Sequence, residues 1–86
     1  MDKRRKIPAM SSRKLIRLVK RAGAVFDREG KGDHVIYKRV VEGRLLKAPI
    51  LEGKSELPPE YSLMVFKQLG LTDKEINDLW EDGVKS

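Results

Sequence analysis

The 86-residue sequence has no cysteine and a single histidine, and these two shortages remove several classes of protein at once. Without cysteine there is neither a disulfide framework nor a thiolate metal site, and one histidine does not supply the usual zinc ligand sets. No metal or other cofactor is expected, and stability has to come from packing. Long hydrophobic runs are missing too. The longest apolar stretches are four or five residues, against about 20 for a helix that spans a bilayer. No apolar segment follows the first basic residues, so the expectation is a soluble, cytoplasmic protein with no membrane partner. Internal repeats and low-complexity segments are also absent. At this length one domain with a two-layer architecture is the natural solution.

Negative charge is scarce in one half only. Residues 1–47 hold 15 Lys and Arg against 5 Asp and Glu, a net of +10, whereas residues 48–86 hold 4 against 8, a net of −4. Such asymmetry fits a chain whose first half meets an anion, although a solvated basic surface with an acidic C-terminal helix gives the same sums.

The opening MDKRRKIPAM carries four consecutive cations and no apolar periodicity, and residues 1–11 read as a basic, flexible arm. The single domain then runs over 12–86. In SSRKLIRLVKRAG, Leu15, Leu18, Val19 and Ala22 share one helical stripe with Ile16 beside it. Ser12 as N-cap and Gly23 as C-terminal stop predict a helix from Arg13 to Ala22. Its other face carries Arg13, Lys14, Arg17, Lys20 and Arg21. After it come three β-prone pieces, AVFDR, HVIYKRVV and RLLKAPI, separated by EGKGD and by Glu42-Gly43, an antiparallel meander. Pro58-Pro59 predict the start of a second helix that reaches Leu69 and stops at Gly70. Thr72 and Glu75 have capping-box spacing, and Leu71 and Ile76 have hydrophobic-staple spacing, so a third helix is expected over 72–82. The order α-β-β-β-α-α describes an α+β domain with helices against one face of a three-stranded antiparallel sheet. Trp80, Phe26, Phe66 and Tyr61 read as core rather than as platforms for stacking bases.

The lone histidine, His34, follows Gly30-Lys31-Gly32-Asp33. Gly30 and Gly32 permit positive φ, so the turn can be tight and the chain can come close to a ligand. His34 then stands at the mouth of a strand, held by the sheet and open to solvent. An imidazole titrates near pH 6.5 in the absence of perturbation and so can give or take a proton at neutral pH. Arg28, Lys31, Lys38, Arg39, Arg44 and Lys47 surround it in sequence, groups suited to a phosphate or to the added charge of its transition state. The combination suits cleavage of a ribose phosphodiester, because RNA brings its own nucleophile, the 2′-hydroxyl. One histidine serves as general acid or general base, not both in one step, and Asp33, a lysine or water has to take the other role. A turn-capping or partly buried, hydrogen-bonded histidine accounts for the same residues. Strand alternation leaves open which face His34 uses, since both faces of HVIYKRVV mix apolar and basic side chains.

Taken together, SSRKLIRLVKRAG, GKGDHVIYKR, GRLLKAPI and KSELPPEYSLMVFKQLGLT resemble, in order and spacing, the HicA (YcfA-like) toxins of toxin–antitoxin pairs. The resemblance covers residues 12–71 as a family core, with the third helix added after it. It implies a double-stranded-RNA-binding-domain-like fold, a metal-independent endoribonuclease that cuts messenger RNA, His34 as the catalytic residue, and a HicB-like antitoxin that covers the site. The implied RNA and phosphate contacts are Arg28, Lys31, Lys38, Arg39, Arg17 and Lys20, with Gly30, Gly32 and Asp33 forming the turn. Three positions depart from the family pattern. Asp33 stands where serine is usual, and its carboxylate repels a phosphate. Ala48-Pro49-Ile50-Leu51 lacks the second histidine common at the end of the third strand. Glu60-Tyr61 replace a glycine–threonine pair at the head of the second helix. A non-catalytic binder of structured RNA, or an antitoxin-binding module presenting Leu63 and Met64, are the competing readings of the same chain.

Overall fold

In the computed structural model the described residues are 7–85, with side chains described as far as Leu79. The elements are α1 (Ser12–Arg21), β1 (Val25–Glu29), β2 (His34–Val41), β3 (Arg44–Leu51), α2 (Pro59–Gln68) and α3 (Asp73–Lys85). This is the expected α+β arrangement: three antiparallel strands in the order β1-β2-β3, with the helices packed on one face. Trp80, expected in the core, has a side chain outside the described residues, as do the four consecutive cations of the N-terminal arm.

The stripe on α1 behaves as its spacing demands, with Leu15, Leu18 and Val19 fully buried. Its cap differs by one residue from expectation. Ser11, not Ser12, is the N-cap, its Oγ accepting the Lys14 N–H at 3.1 Å. Ser12 turns inward instead, where its hydroxyl donates to the Leu51 carbonyl at 2.6 Å and accepts the Lys54 N–H at 3.0 Å. Adjacent serines are equally good caps, and the one that finds partners on the far side of the chain is the one that leaves the cap position. The segment before α1 is also tied down from Met10 onward: Met10 is buried and exchanges both backbone hydrogen bonds with Leu57.

β2 and β3 pair without interruption from His34↔Leu51 to Val41↔Arg44. The two-residue turn between them, Glu42-Gly43, has positive φ at both positions (50° and 79°), the pattern of a type I′ hairpin turn. β1 starts at Val25, one residue later than AVFDR suggests, and a bulge interrupts its pairing with β2 between Phe26 and Arg28. Parity is now settled: Val35 and Tyr37 of β2 and Ala48 and Ile50 of β3 are buried, so His34, Ile36, Lys38 and Val40 point to the opposite, uncovered face. Phe26 is not core. It is 49 % exposed and touches Tyr37 edge-on, with centroids 6.0 Å apart, because β1 is an edge strand with no strand beyond it among the described residues. Phe66 is buried, Tyr61 half-buried.

The helical layer closes as the sequence spacing predicts. Leu69 caps α2 and Gly70 follows at φ 77°, a conformation that favours glycine; a Cβ at Gly70 would lie 2.6 Å from Leu46 Cδ1 and would have to displace that methyl. The capping box of α3 is formed in both directions: Thr72 Oγ1 accepts the Glu75 N–H at 3.1 Å and Glu75 Oε1 accepts the Thr72 N–H at 2.9 Å. Leu71 and Ile76, the staple pair, are both buried. Leu63 is half-buried against the core, and of the two residues suggested for partner contact only Met64 is exposed.

Candidate active site at the mouth of the second strand

His34 opens β2, and its position is fixed from both sides. On the turn side, the Gly30 N–H donates to the His34 carbonyl at 2.8 Å and the His34 N–H donates to the Lys31 carbonyl at 3.2 Å. Gly32 takes the left-handed conformation at φ 60°. Gly30, expected to use the same freedom, does not; a Cβ there would sit 3.1 Å from Ile36 Cδ1 and 3.3 Å from His34 Cβ, so a side chain would crowd both. Glycine thus lets the turn pass close to His34 Cβ and Ile36. The side chains of Lys31 and Asp33 are exposed on either side.

On the sheet side, His34 lies opposite Leu51, whose backbone is held by both helices of the family core. The Leu51 carbonyl accepts the Ser12 hydroxyl of α1, and the Leu51 N–H donates to the Tyr61 hydroxyl of α2 at 2.9 Å. Next to it, the Glu52 N–H donates to the Asp33 carbonyl at 2.8 Å. Tyr61, one of the departures from the family pattern, therefore anchors the strand end facing the histidine.

The ring itself has one contact that decides its chemistry. His34 Nδ1 lies 3.1 Å from the Lys31 carbonyl oxygen. A carbonyl only accepts, so Nδ1 carries the proton and donates; in the neutral ring Nε2 keeps its lone pair. A partly exposed imidazole held in that tautomer offers a base through Nε2, and after protonation an acid at the same atom.

The open face continues away from His34 in cross-strand rows: Ile36 with Pro49 and Arg28, then Lys38 with Lys47 and Val25, then Val40 with Leu45. Asp27, seated in the bulge of β1, faces this surface. Its carboxylate pairs with Arg28 at 2.8 Å, Lys47 at 3.2 Å and Lys38 at 3.5 Å. The Lys47 ammonium against it, aided by the charge of Lys38, holds the carboxyl below its ordinary value despite an opposing push from desolvation. Sequence reasoning missed Asp27. The available signal was an aspartate inside a β-prone run, where that residue is depleted unless something holds it.

Of the cations expected near the histidine, the structure brings Arg28, Lys31 and Lys38 to its turn or its face. Arg17 and Lys20 are exposed on α1, in the helical layer on the other side of the sheet. Arg39 is a correction. Alternation turns it away from the open face, and its guanidinium donates through Nε to the Ala22 carbonyl at 3.0 Å, through Nη1 to the Leu69 carbonyl at 2.9 Å and through Nη2 to Glu75 Oε2 at 2.9 Å. Those partners are the C-cap of α1, the C-cap of α2 and the capping glutamate of α3. With its side chain only 12 % exposed, Arg39 joins three helix ends to the sheet and is turned away from the face that carries His34.

Among the described residues no group of His, Cys, Asp and Glu is arranged to hold a metal ion, and no helix is long and apolar enough to cross a membrane. No curated protein and no solved structure matches the chain. A family model described as HicA toxin of bacterial toxin–antitoxin matches residues 12–71, from the first turn of α1 to the staple residue before α3. That span contains the glycine turn, His34 and both anchors of the facing strand, and on it the chain belongs to the HicA toxin family, whose members are paired with an antitoxin.

Proposed function

We propose that this toxin is an endoribonuclease that cuts messenger RNA in the cytoplasm without a metal, with His34 as its proton-transfer residue, and that a HicB-like antitoxin restrains it. The observation that carries the reading is the 3.1 Å contact from His34 Nδ1 to the Lys31 carbonyl, which leaves Nε2 as the working atom at an exposed strand mouth. In the cleavage step the 2′-oxygen forms a bond to phosphorus and the bond from phosphorus to the 5′-oxygen breaks. The 2′-hydroxyl proton passes to a base, and the leaving 5′-oxygen takes a proton from an acid. His34 Nε2 performs one of these transfers; water, Lys31 or Asp33 performs the other. Lys31 and Arg28 supply positive charge near the phosphate, with Lys38 beyond them on the same face. Asp33 works against this charge, and its exposed carboxylate beside the histidine favours slow turnover.

The test is incubation of the wild-type protein and His34→Ala with a structured messenger RNA in EDTA, read on a denaturing gel. Cuts by the wild type, reduced at least a hundredfold in the variant at unchanged circular dichroism, are the expected result. Equal cutting by both proteins sinks the assignment of His34. If neither cuts while a salt-sensitive gel shift persists, the chain is an RNA-binding module that has lost the chemistry, and Asp33→Ser is the variant with which to seek its return.

A further inference from the structure

Lys38 and Lys47 are direct cross-strand partners on the open face. Like charges placed opposite one another destabilise a sheet, yet here they converge, together with Arg28, on the single carboxylate of Asp27. The carboxylate keeps 16 % of its exposure, whereas the lysines keep 39 % and 43 %. The anion is therefore at the centre and the cations form its rim. Three cations and one anion leave the group at a formal charge of +2, on a face that no other element covers among the described residues. Four positions along β2 separate Lys38 from His34, which at the rise of a strand is about 13 Å on the same face.

We propose that the Lys38–Lys47 pair, flanked by Arg28, is a second phosphate-binding subsite for single-stranded RNA, and that the Asp27 carboxylate occupies it in the free protein. This rests on the reading of His34 as the cutting residue for RNA. A phosphodiester carries one formal negative charge on two unesterified oxygens, as a carboxylate does, so it meets the same ammonium groups in the same way. The distance from His34 is too long for the neighbouring phosphate of the strand, and the subsite engages a phosphate more than one nucleotide from the cleaved bond. RNA then lies along β2, and the bulge that seats Asp27 sets where the strand is gripped.

The test uses a 2′-O-methyl hexanucleotide, which binds but has no free 2′-hydroxyl to attack, followed by fluorescence anisotropy over a range of salt. For Lys38→Gln/Lys47→Gln the expected result is binding on the order of tenfold weaker, with the salt slope smaller by about 0.7, the value for one phosphate contact to a single strand. Lys67→Gln/Lys74→Gln is the matched control, because those lysines are also ion-paired, to Asp73 and Asp78, but lie on the helical layer. Asp27→Asn is expected to tighten binding several-fold by removing the occupant. An unchanged slope in the first pair, or an equal fall in the control pair, overturns the subsite and leaves the cluster to surface stability or to acidic side chains of a protein partner. Weaker binding by Asp27→Asn overturns its role as occupant. Because the probe cannot be cut, the two-lysine signature with uncut messenger RNA refutes the cutting reading alone, and His34-dependent cutting without the signature refutes the subsite alone.

Discussion

Lys38 and Arg39 are consecutive residues of one strand with the same charge, and the two faces of the sheet use them for opposite purposes. Arg39, on the covered face, spends its donors on two helix carbonyls and a capping carboxylate. Lys38, on the open face, keeps substantial exposure and shares a single carboxylate with two other cations. A cation enclosed by backbone oxygens specifies the fold, whereas one gathered with other cations around an exposed anion remains available to a ligand. Charge counts along a sequence do not separate these cases; strand parity does.

The sharpest way to break that contrast is Arg39→Ala. Two helix-end carbonyls and Glu75 lose their partner in a mostly buried place, and urea unfolding should show a loss of about 2–4 kcal/mol. Arg39→Lys should recover little, since one ammonium does not reproduce a planar fork with three separate partners. A loss below about 1 kcal/mol would mean the clamp does not hold the helices. Next in size is Gly70→Ala, beneath the same clamp, where a left-handed backbone and a close Leu46 methyl predict a cost of about 1–2 kcal/mol by thermal unfolding.

Thr72→Ala removes one direction of the capping box and should cost about 1 kcal/mol. The pH dependence of that corner has a definite sign. The Thr72 N–H, followed by Arg39, holds the Glu75 carboxyl below its ordinary value, so its contribution is complete above the ordinary glutamate range and disappears as pH falls through the lowered value. Glu75→Gln should therefore flatten the acid limb of stability against pH and leave the neutral-pH limb parallel to wild type; an unchanged acid limb refutes the link. At the hairpin tip the expected sign reverses. Glu42 holds φ 50° where asparagine is more at ease, and Glu42→Asn should stabilise by about 0.5 kcal/mol in the same unfolding assay. The smallest effect belongs to the open face: Lys38→Gln should change stability by no more than about 0.5 kcal/mol, which would separate its role from that of its neighbour.

Local signals in the sequence carried most of the architecture. The α1 stripe, the paired prolines before α2, the Thr72–Glu75 box and the glycine turn ahead of His34 are each written within a few residues, and each is found where it was read. What was illegible depends on partners far along the chain. The choice between Ser11 and Ser12 as cap is decided by Leu51 and Lys54, 39 and 42 residues away. The exposure of Phe26 follows from β1 being an edge, which a list of strands does not state. The split between Lys38 and Arg39 required knowing which face the helices cover, and the charged centre at Asp27 required a bulge that shifts register by one residue. At the candidate site the turn and the histidine were legible, whereas the hydrogen bond that selects the ring tautomer was not, because it depends on the orientation of one carbonyl.

The bulge in β1 has a consequence for the toxin in a crowded cell. A five-residue edge strand with Val25 and Phe26 half-exposed is the sort of border onto which another chain adds a strand, the first step towards edge-to-edge aggregation. Irregular backbone at Phe26–Arg28 interrupts the row of donors and acceptors that such an addition would copy, and the charged cluster at Asp27 in the bulge makes any continuation unfavourable. The irregularity that gathers three cations on the open face thus also discourages this small protein from polymerising along its own border.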